Sequence, residues 1–161
     1  GLYRRMTAGG VLTRVAVATG PGSFTGLRVG VSFGLGLAIG LRIPIVPLGT
    51  LALQAARSAD PVLAVSEAGR GRVYHLAPGQ APGVAEPREL PAGHEVVGWL
   101  RPATRAALVA VGLTFKPESS LLAFSAAVAA LLKSAREVAY GSVKLEYMQS
   151  FAVPAKAEPS V

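Results

Sequence analysis

Apolar and polar positions change their period several times along this chain. Arg14-Val-Ala-Val-Ala18 is a short apolar run that breaks at Thr19-Gly20-Pro21-Gly22, the pattern of a buried strand entering a tight turn. Beyond the turn, Phe24, Leu27, Val31, Leu35 and Ile39 recur at spacings of three and four. That period predicts a helix with one apolar stripe, capped by Ser23 at its start and by Gly40 at its end. Leu41 to Val46 holds β-branched residues among the breakers Pro44 and Pro47, which predicts a strand followed by a turn into a short helix begun at Thr50. The first third therefore reads as a strand-loop-helix-strand unit.

Further along, Pro61-Val-Leu-Ala-Val-Ser66 and Arg72-Val-Tyr-His-Leu76 predict the two strands of a hairpin, joined by a glycine-rich turn from Glu67 to Gly71. Pro78, Pro82, Pro87 and Pro91 mark a loop or linker rather than core. Ala106 to Val111 reads as another buried strand, Ser119 to Ser134 as an Ala/Leu-rich helix, and Val143 to Met148 as a closing strand by its alternation. The tail from Pro154 is expected to fray. No repeat at solenoid or propeller periods is present.

Composition narrows the class. Of 161 residues, 51% are hydrophobic and 16% charged, which excludes wholesale disorder. There is no cysteine, so disulfide frameworks, thiolate metal sites and cysteine nucleophiles are excluded, in keeping with a reducing cytoplasm. The two histidines, His75 and His94, form no HExxH or other metal-binding spacing. Uncharged stretches such as Val29 to Leu41 fall short of the roughly 20 apolar residues that a membrane helix needs, and no signal peptide is legible; the expectation is a chain without a membrane span that begins like a fragment. The net charge of +7 is uneven, because six arginines (Arg4, Arg5, Arg14, Arg28, Arg42, Arg57) precede the first acid, Asp60. A basic surface for nucleic acid is one explanation; an Arg-rich, Ala/Gly-rich composition is the plainer one.

Two local features carry candidate chemistry. Gly20-Pro21-Gly22-Ser23-Phe24-Thr25-Gly26 lies where a strand hands over to a helix, a place where backbone N–H groups and the helix dipole can hold an anion. It lacks the lysine of GxxxxGK[ST] and the spacing of GxGxxG, so close backbone packing competes with phosphate binding as its purpose. In the helix, Gly26, Gly30 and Gly34 recur every fourth residue and Ala38 continues the row. Each helical glycine costs about 1 kcal/mol relative to alanine, so the row is expected where another backbone approaches closely, either the chain's own sheet or a helix of a partner.

The stretch from Thr19 to Ala38, with its GPGSFTGLRxG core, followed by Ile43-Pro44 and Pro47-Leu-Gly-Thr-Leu51, closely resembles the TsaB (YeaZ) family. Glu67-Ala-Gly-Arg-Gly-Arg-Val-Tyr74 is similar to that family's D-A-R-x-G-E-V-Y hairpin, and Val143-Lys-Leu-Glu-Tyr-Met148 resembles its closing strand. The resemblance implies an α/β chain of actin-like, Hsp70-like (ASKHA, ribonuclease H-like) fold lacking its N-terminal strands. Residues 1–58 would be the remainder of an N-terminal subdomain and residues 59–161 a C-terminal subdomain.

It further implies a cytoplasmic, non-catalytic scaffold. Such a chain pairs with the catalytic paralogue TsaD, joins the ATPase TsaE in a ternary complex, and so supports threonylcarbamoyladenosine modification of tRNA; alone, a homodimer is one of the states open to it. Contact with tRNA would come through the complex, ATP or ADP would bind only there, and this chain would bind no cofactor of its own. The paralogue's metal-binding H-x-x-x-H motif aligns with Thr50 and Gln54, so neither a metal site nor a catalytic residue is expected. The partner interface is expected on the glycine-rich turn and helix, at Gly20, Pro21, Gly22, Ser23, Phe24, Thr25, Gly26, Arg28, Gly30 and Gly34. The competing readings are an M22-type glycoprotease or a nucleotide-binding ASKHA protein, and they lack a base beside Ser23 and paired carboxylates beside the turn. If the missing strands belong to the same sheet, the strand from Arg14 to Ala18 is an exposed edge.

Overall fold

A computed structural model describes residues 10–146. The chain begins with strand β1 (Val15–Gly20) and helix α1 (Phe24–Leu41), then strand β2 (Ile45–Gly49), which returns parallel to β1 with Val15 opposite Ile45 and Ala18 opposite Leu48. This is the expected crossover unit, with both strands shifted toward the C-terminus. Pro47 sits inside β2 rather than ending it. Val15 N–H donates to Pro44 O at 2.9 Å, so the even-numbered residues of β2 face β1 and the missing N–H of Pro47 faces the other way, where proline is tolerated. On that other side Val138 N–H donates to Ile45 O at 3.1 Å.

Short helix α2 (Thr50–Ala55) leads to a second sheet. Strands β3 (Leu63–Gly69) and β4 (Arg72–Leu76) form the expected hairpin, but β3 runs on through Glu67 and the turn shrinks to Arg70 and Gly71. Strand β5 (Gly83–Ala85) pairs with β4, and β6 (Val96–Val97) runs parallel to β3, giving the order β5-β4-β3-β6. The proline-rich stretch from Pro78 to Pro91 is thus not merely a linker: it contributes β5, and Ala85 and Leu90 are buried in the core. Side chains alternate across this sheet as the strand period requires. Leu63, Val65 and Val73 face one core, with Leu100, Leu108 and Leu113, while Ala64 and Tyr74 face Leu51 of α2.

Ala106 to Val111 is not a strand. It lies in helix α3 (Pro102–Ala110), opened by Pro102 in its first turn. A short apolar run does not distinguish strand from helix by itself, and here Thr104 and Leu108, four apart, are buried while Val109 and Val111 are exposed. The helix expected from Ser119 to Ser134 is shorter, α4 (Phe124–Leu131). Before it Glu118–Ser120 forms a single 3-10 turn, and the chain is then extended where it meets Arg57: Leu122 N–H donates to Arg57 O at 2.8 Å, and Arg57 Nε donates to Leu122 O at 2.9 Å. Arg57 itself is buried, paired with Glu118 and stacked 4.2 Å from the centre of the Phe124 ring. The closing strand is absent as far as Glu146. Val143 and Leu145 still pack on the β1–β2 core, and Tyr147 and Met148 lie outside the described residues, as does the tail from Pro154.

Candidate functional site

The turn after β1 and the helix that follows are built as the glycines demand. Gly20 has φ +119 and is buried, and a Cβ on it would stand 2.6 Å from the backbone oxygen of Glu146. Only glycine fits there. Glu146 N–H also donates to Thr19 O at 2.8 Å, so the C-terminal segment closes over the turn. Pro21 is fully buried and follows a cis peptide bond. Ser23 caps α1 as expected, its Oγ accepting from Gly26 N–H at 3.3 Å. The hydroxyl is engaged in the cap, and the geometry here is that of tight packing.

The far end of α1 differs from the sequence expectation. The helix runs past Gly40 to Leu41, and Arg42 takes the left-handed capping position at φ +55, with Ile43 N–H donating to Ala38 O at 3.0 Å. The buried stripe is also rotated. Leu27, Val31, Gly34 and Ala38 face β1, whereas Phe24 and Ile39, counted above in the apolar stripe, are about half exposed. The fourth-residue register of Gly34 and Ala38, not the larger side chains, sets the inward face.

The glycine row therefore splits. A Cβ at Gly34 would collide with Val17 Cγ1, so this glycine lets the helix approach its own strand. At Gly30 nothing lies within 4 Å, and Gly26 meets only Ser23. Of the expected interface residues, Gly20, Pro21 and Gly34 are buried, and Gly22 is half-buried. Ser23, Phe24, Thr25, Gly26, Arg28 and Gly30 face outward, with the Arg28 guanidinium 3.8 Å above the Phe24 ring. Two outward residues that sequence periodicity did not single out join them: Val29 is 64% exposed and Phe33 58%. A groove of about 320 Å³ runs between α1 and β1, lined by Ala16, Ala18, Gly26, Gly30, Phe33 and Leu37. Among the described residues no strand pairs with β1 on that side, which leaves the backbone groups of Ala16 and Ala18 along the groove. By length and composition α1 is apolar enough to cross a membrane, with a mean hydropathy of 1.5 over its 18 residues. In this fold it lies along β1 instead.

The other candidates do not converge. His75 is on β4 and His94 in the loop before β6, and among the described residues no three of His, Cys, Asp and Glu come together. Thr50 Oγ1 and Gln54 Oε1 are buried without a hydrogen-bond partner among the described residues. A neutral hydroxyl and an amide oxygen are a poor donor set for a transition metal that imidazoles would hold, so these residues do not fit the paralogue's metal.

With this geometry in hand, residues 8–140 match the family model described as TsaD, tRNA N6-adenosine threonylcarbamoyltransferase. The chain belongs to this family, on its TsaB (YeaZ) branch. The branch rests on relatives named tRNA threonylcarbamoyladenosine biosynthesis protein TsaB. The one from Escherichia coli (strain K12) is 40% identical over 76 residues, which are 42% of this chain and 33% of that protein. The one from Bacillus subtilis (strain 168) is 42% identical over 66 residues, 39% of this chain and 29% of that protein. The matched segment spans about a third of these relatives. Two solved structures share the fold, both from Pseudomonas aeruginosa. A protein described as similar to peptidase YEAZ superposes with a TM-score of 0.64 at 24% identity, covering 91% of this chain and 81% of that one. YeaZ superposes with a TM-score of 0.63 at 22% identity, covering 87% and 77%. The architecture is the actin-like, ASKHA α/β fold.

Proposed function

We propose that this chain is a non-catalytic subunit in the biosynthesis of threonylcarbamoyladenosine in tRNA, and that it acts by pairing with TsaD through the outward face of α1. One observation carries the reading. The helix with the family's motif presents a strip of open glycine, Gly26 and Gly30, bordered by the exposed apolar side chains of Val29 and Phe33. A backbone can approach such a strip closely, and contiguous exposed apolar surface marks an interaction site. The names of the relatives supply the process. On this reading TsaE and ATP or ADP join in the assembled complex, tRNA is met through it, and the work is done in the cytoplasm.

Gly30→Leu tests the pairing. The Cβ at this position has open space, so the variant is expected to fold with an unchanged circular dichroism spectrum. It is expected to lose co-purification with TsaD, because side chains forced into a close helix contact cost on the order of 1 to 3 kcal/mol. Pairing at unchanged affinity would place the interface elsewhere.

A further inference from the structure

The far end of the second sheet gathers features that the pairing surface does not use. The β3–β4 hairpin closes with a two-residue turn in which Arg70 has φ +54 and Gly71 φ +74, the geometry of a type I′ turn. Asn or Gly is favoured at the first of these positions, and an arginine held there is under backbone strain, the kind that accumulates at functional positions. Because β6 runs parallel to β3, the chain leaving it arrives at the same end of the sheet, bringing Trp99 and Arg101. Trp99 is the single tryptophan of the chain and is 75% exposed.

Arg101 is anchored by Glu67. Its backbone N–H donates to Glu67 Oε1 at 2.8 Å and its Nη2 to Oε2 at 3.1 Å. Partial burial works to raise the pKa of Glu67, but hydrogen bonds from Arg101 and Thr104 outweigh it and hold the carboxyl below its usual range. The anchor is shielded while the cation is not: the Glu67 side chain is 19% exposed and that of Arg101 62%. Between the hairpin tip and the start of α3 lies a cavity of about 370 Å³ lined by Arg70, Gly71, Arg101, Ala103, Thr104 and Ala107, with no carboxylate in its lining.

We infer that this corner binds single-stranded RNA directly, with Arg70 and Arg101 on backbone phosphates and an unstacked base on Trp99. Cationic forks beside a sequence-tolerant aromatic face are the combination that recognises single strands. A duplex offers no exposed base to the indole. The corner lies on the four-stranded sheet and α1 packs on the two-stranded one, so this inference does not depend on pairing with TsaD.

The test is a titration of the full chain with a single-stranded oligoadenylate, followed by quenching of the one tryptophan and, for tryptophan variants, by the anisotropy of labelled RNA. Two phosphate contacts predict a slope of log affinity against log salt of about −1.4, at roughly 0.7 per phosphate for single strands. Arg70→Ala is expected to bring that slope to about −0.7. Trp99→Ala is expected to weaken binding by about tenfold, whereas Trp99→Phe keeps most of the affinity. Arg42→Ala, at an exposed side chain on the two-stranded unit that shares the positive φ of Arg70, is expected to change little. The inference is overturned if oligoadenylate leaves the fluorescence unchanged, or if Arg42→Ala weakens binding as much as Arg70→Ala. It is overturned equally if duplex RNA binds as tightly as the single strand, or if polyglutamate quenches as strongly, which would make the partner an acidic protein. A fold-intact Gly30→Leu variant that loses TsaD yet still binds RNA would separate this corner from the pairing surface.

Discussion

Around β3, β4, β5 and β6, ten buried hydrophobic residues from Leu63 to Leu113 pack into one cluster, while around β1 and β2 the corresponding cluster has four: Val17, Val31, Ala38 and Ile45. The larger unit covers both faces of its sheet with its own helices and pairs its charges internally, Lys116 with Asp60 and Glu95, and Arg101 with Glu67. The smaller unit leaves one edge of β1 and half of α1 without cover among the described residues. A core that closes on itself provides stability, and one that stays open provides a surface. The difference explains why a helix so apolar is so little buried.

The largest effect expected from breaking this contrast is in the closed core. Leu63 is fully buried, and Leu63→Ala is expected to lower unfolding free energy by about 2–5 kcal/mol, measurable by denaturant titration, while pairing at α1 persists in whatever fraction stays folded. An unchanged midpoint would mean that the four-stranded unit does not hold the molecule together.

The two glycines on one helix sharpen the comparison. Gly34→Leu must displace Val17 and is expected to destabilise by about 1–3 kcal/mol, whereas Gly30→Leu meets open space and is expected to leave stability intact or slightly raised by the better helix former. Equal losses in the two variants would show that both faces of α1 are closed within the chain.

The smallest expected effect is a pH dependence confined to the closed unit. His75 packs against Gly83, where a Cβ would stand 2.7 Å from Nε2, and its Nδ1 is buried without a partner among the described residues. Burial disfavours the imidazolium, which lowers the His75 pKa in the folded protein. The unfolded chain then takes up the proton more readily, so this contribution to stability is complete above about pH 6.5 and declines as pH falls through the lowered folded value. His75→Gln is expected to flatten the slope of stability between neutral pH and about pH 5; an unaltered slope would assign it to other groups.

Much of this was legible in the chain. The turn at Gly20, the cap at Ser23 and the hairpin around Arg70 are local, each set by residues within a few positions of one another, and they stand where the pattern places them. The row of glycines announced a close approach but not its direction. That Gly34 faces Val17 and Gly30 faces outward depends on how α1 is rolled against β1, and side-chain size misleads there because glycines and large apolar residues occur on both faces. Trp99 and Arg70 are 29 positions apart in sequence, and only the parallel pairing of β6 with β3 brings them to one end of a sheet.

The misread elements share one cause. Ala106 to Val111 is an apolar run that either period can host, and its helical period shows only in the burial of Thr104 and Leu108, one turn apart on the face toward the core. Helix formation breaks off after the 3-10 turn Glu118–Ser120, because Arg57, more than 60 positions earlier, draws Leu122 into an extended exchange of hydrogen bonds. Sequence by itself determined what short-range sterics and hydrogen bonding can determine: the glycine turn, the cap, the hairpin and the family. Tertiary structure alone decided which apolar positions are covered and which distant charges meet, because burial and long-range hydrogen bonds depend on neighbours that no local window contains.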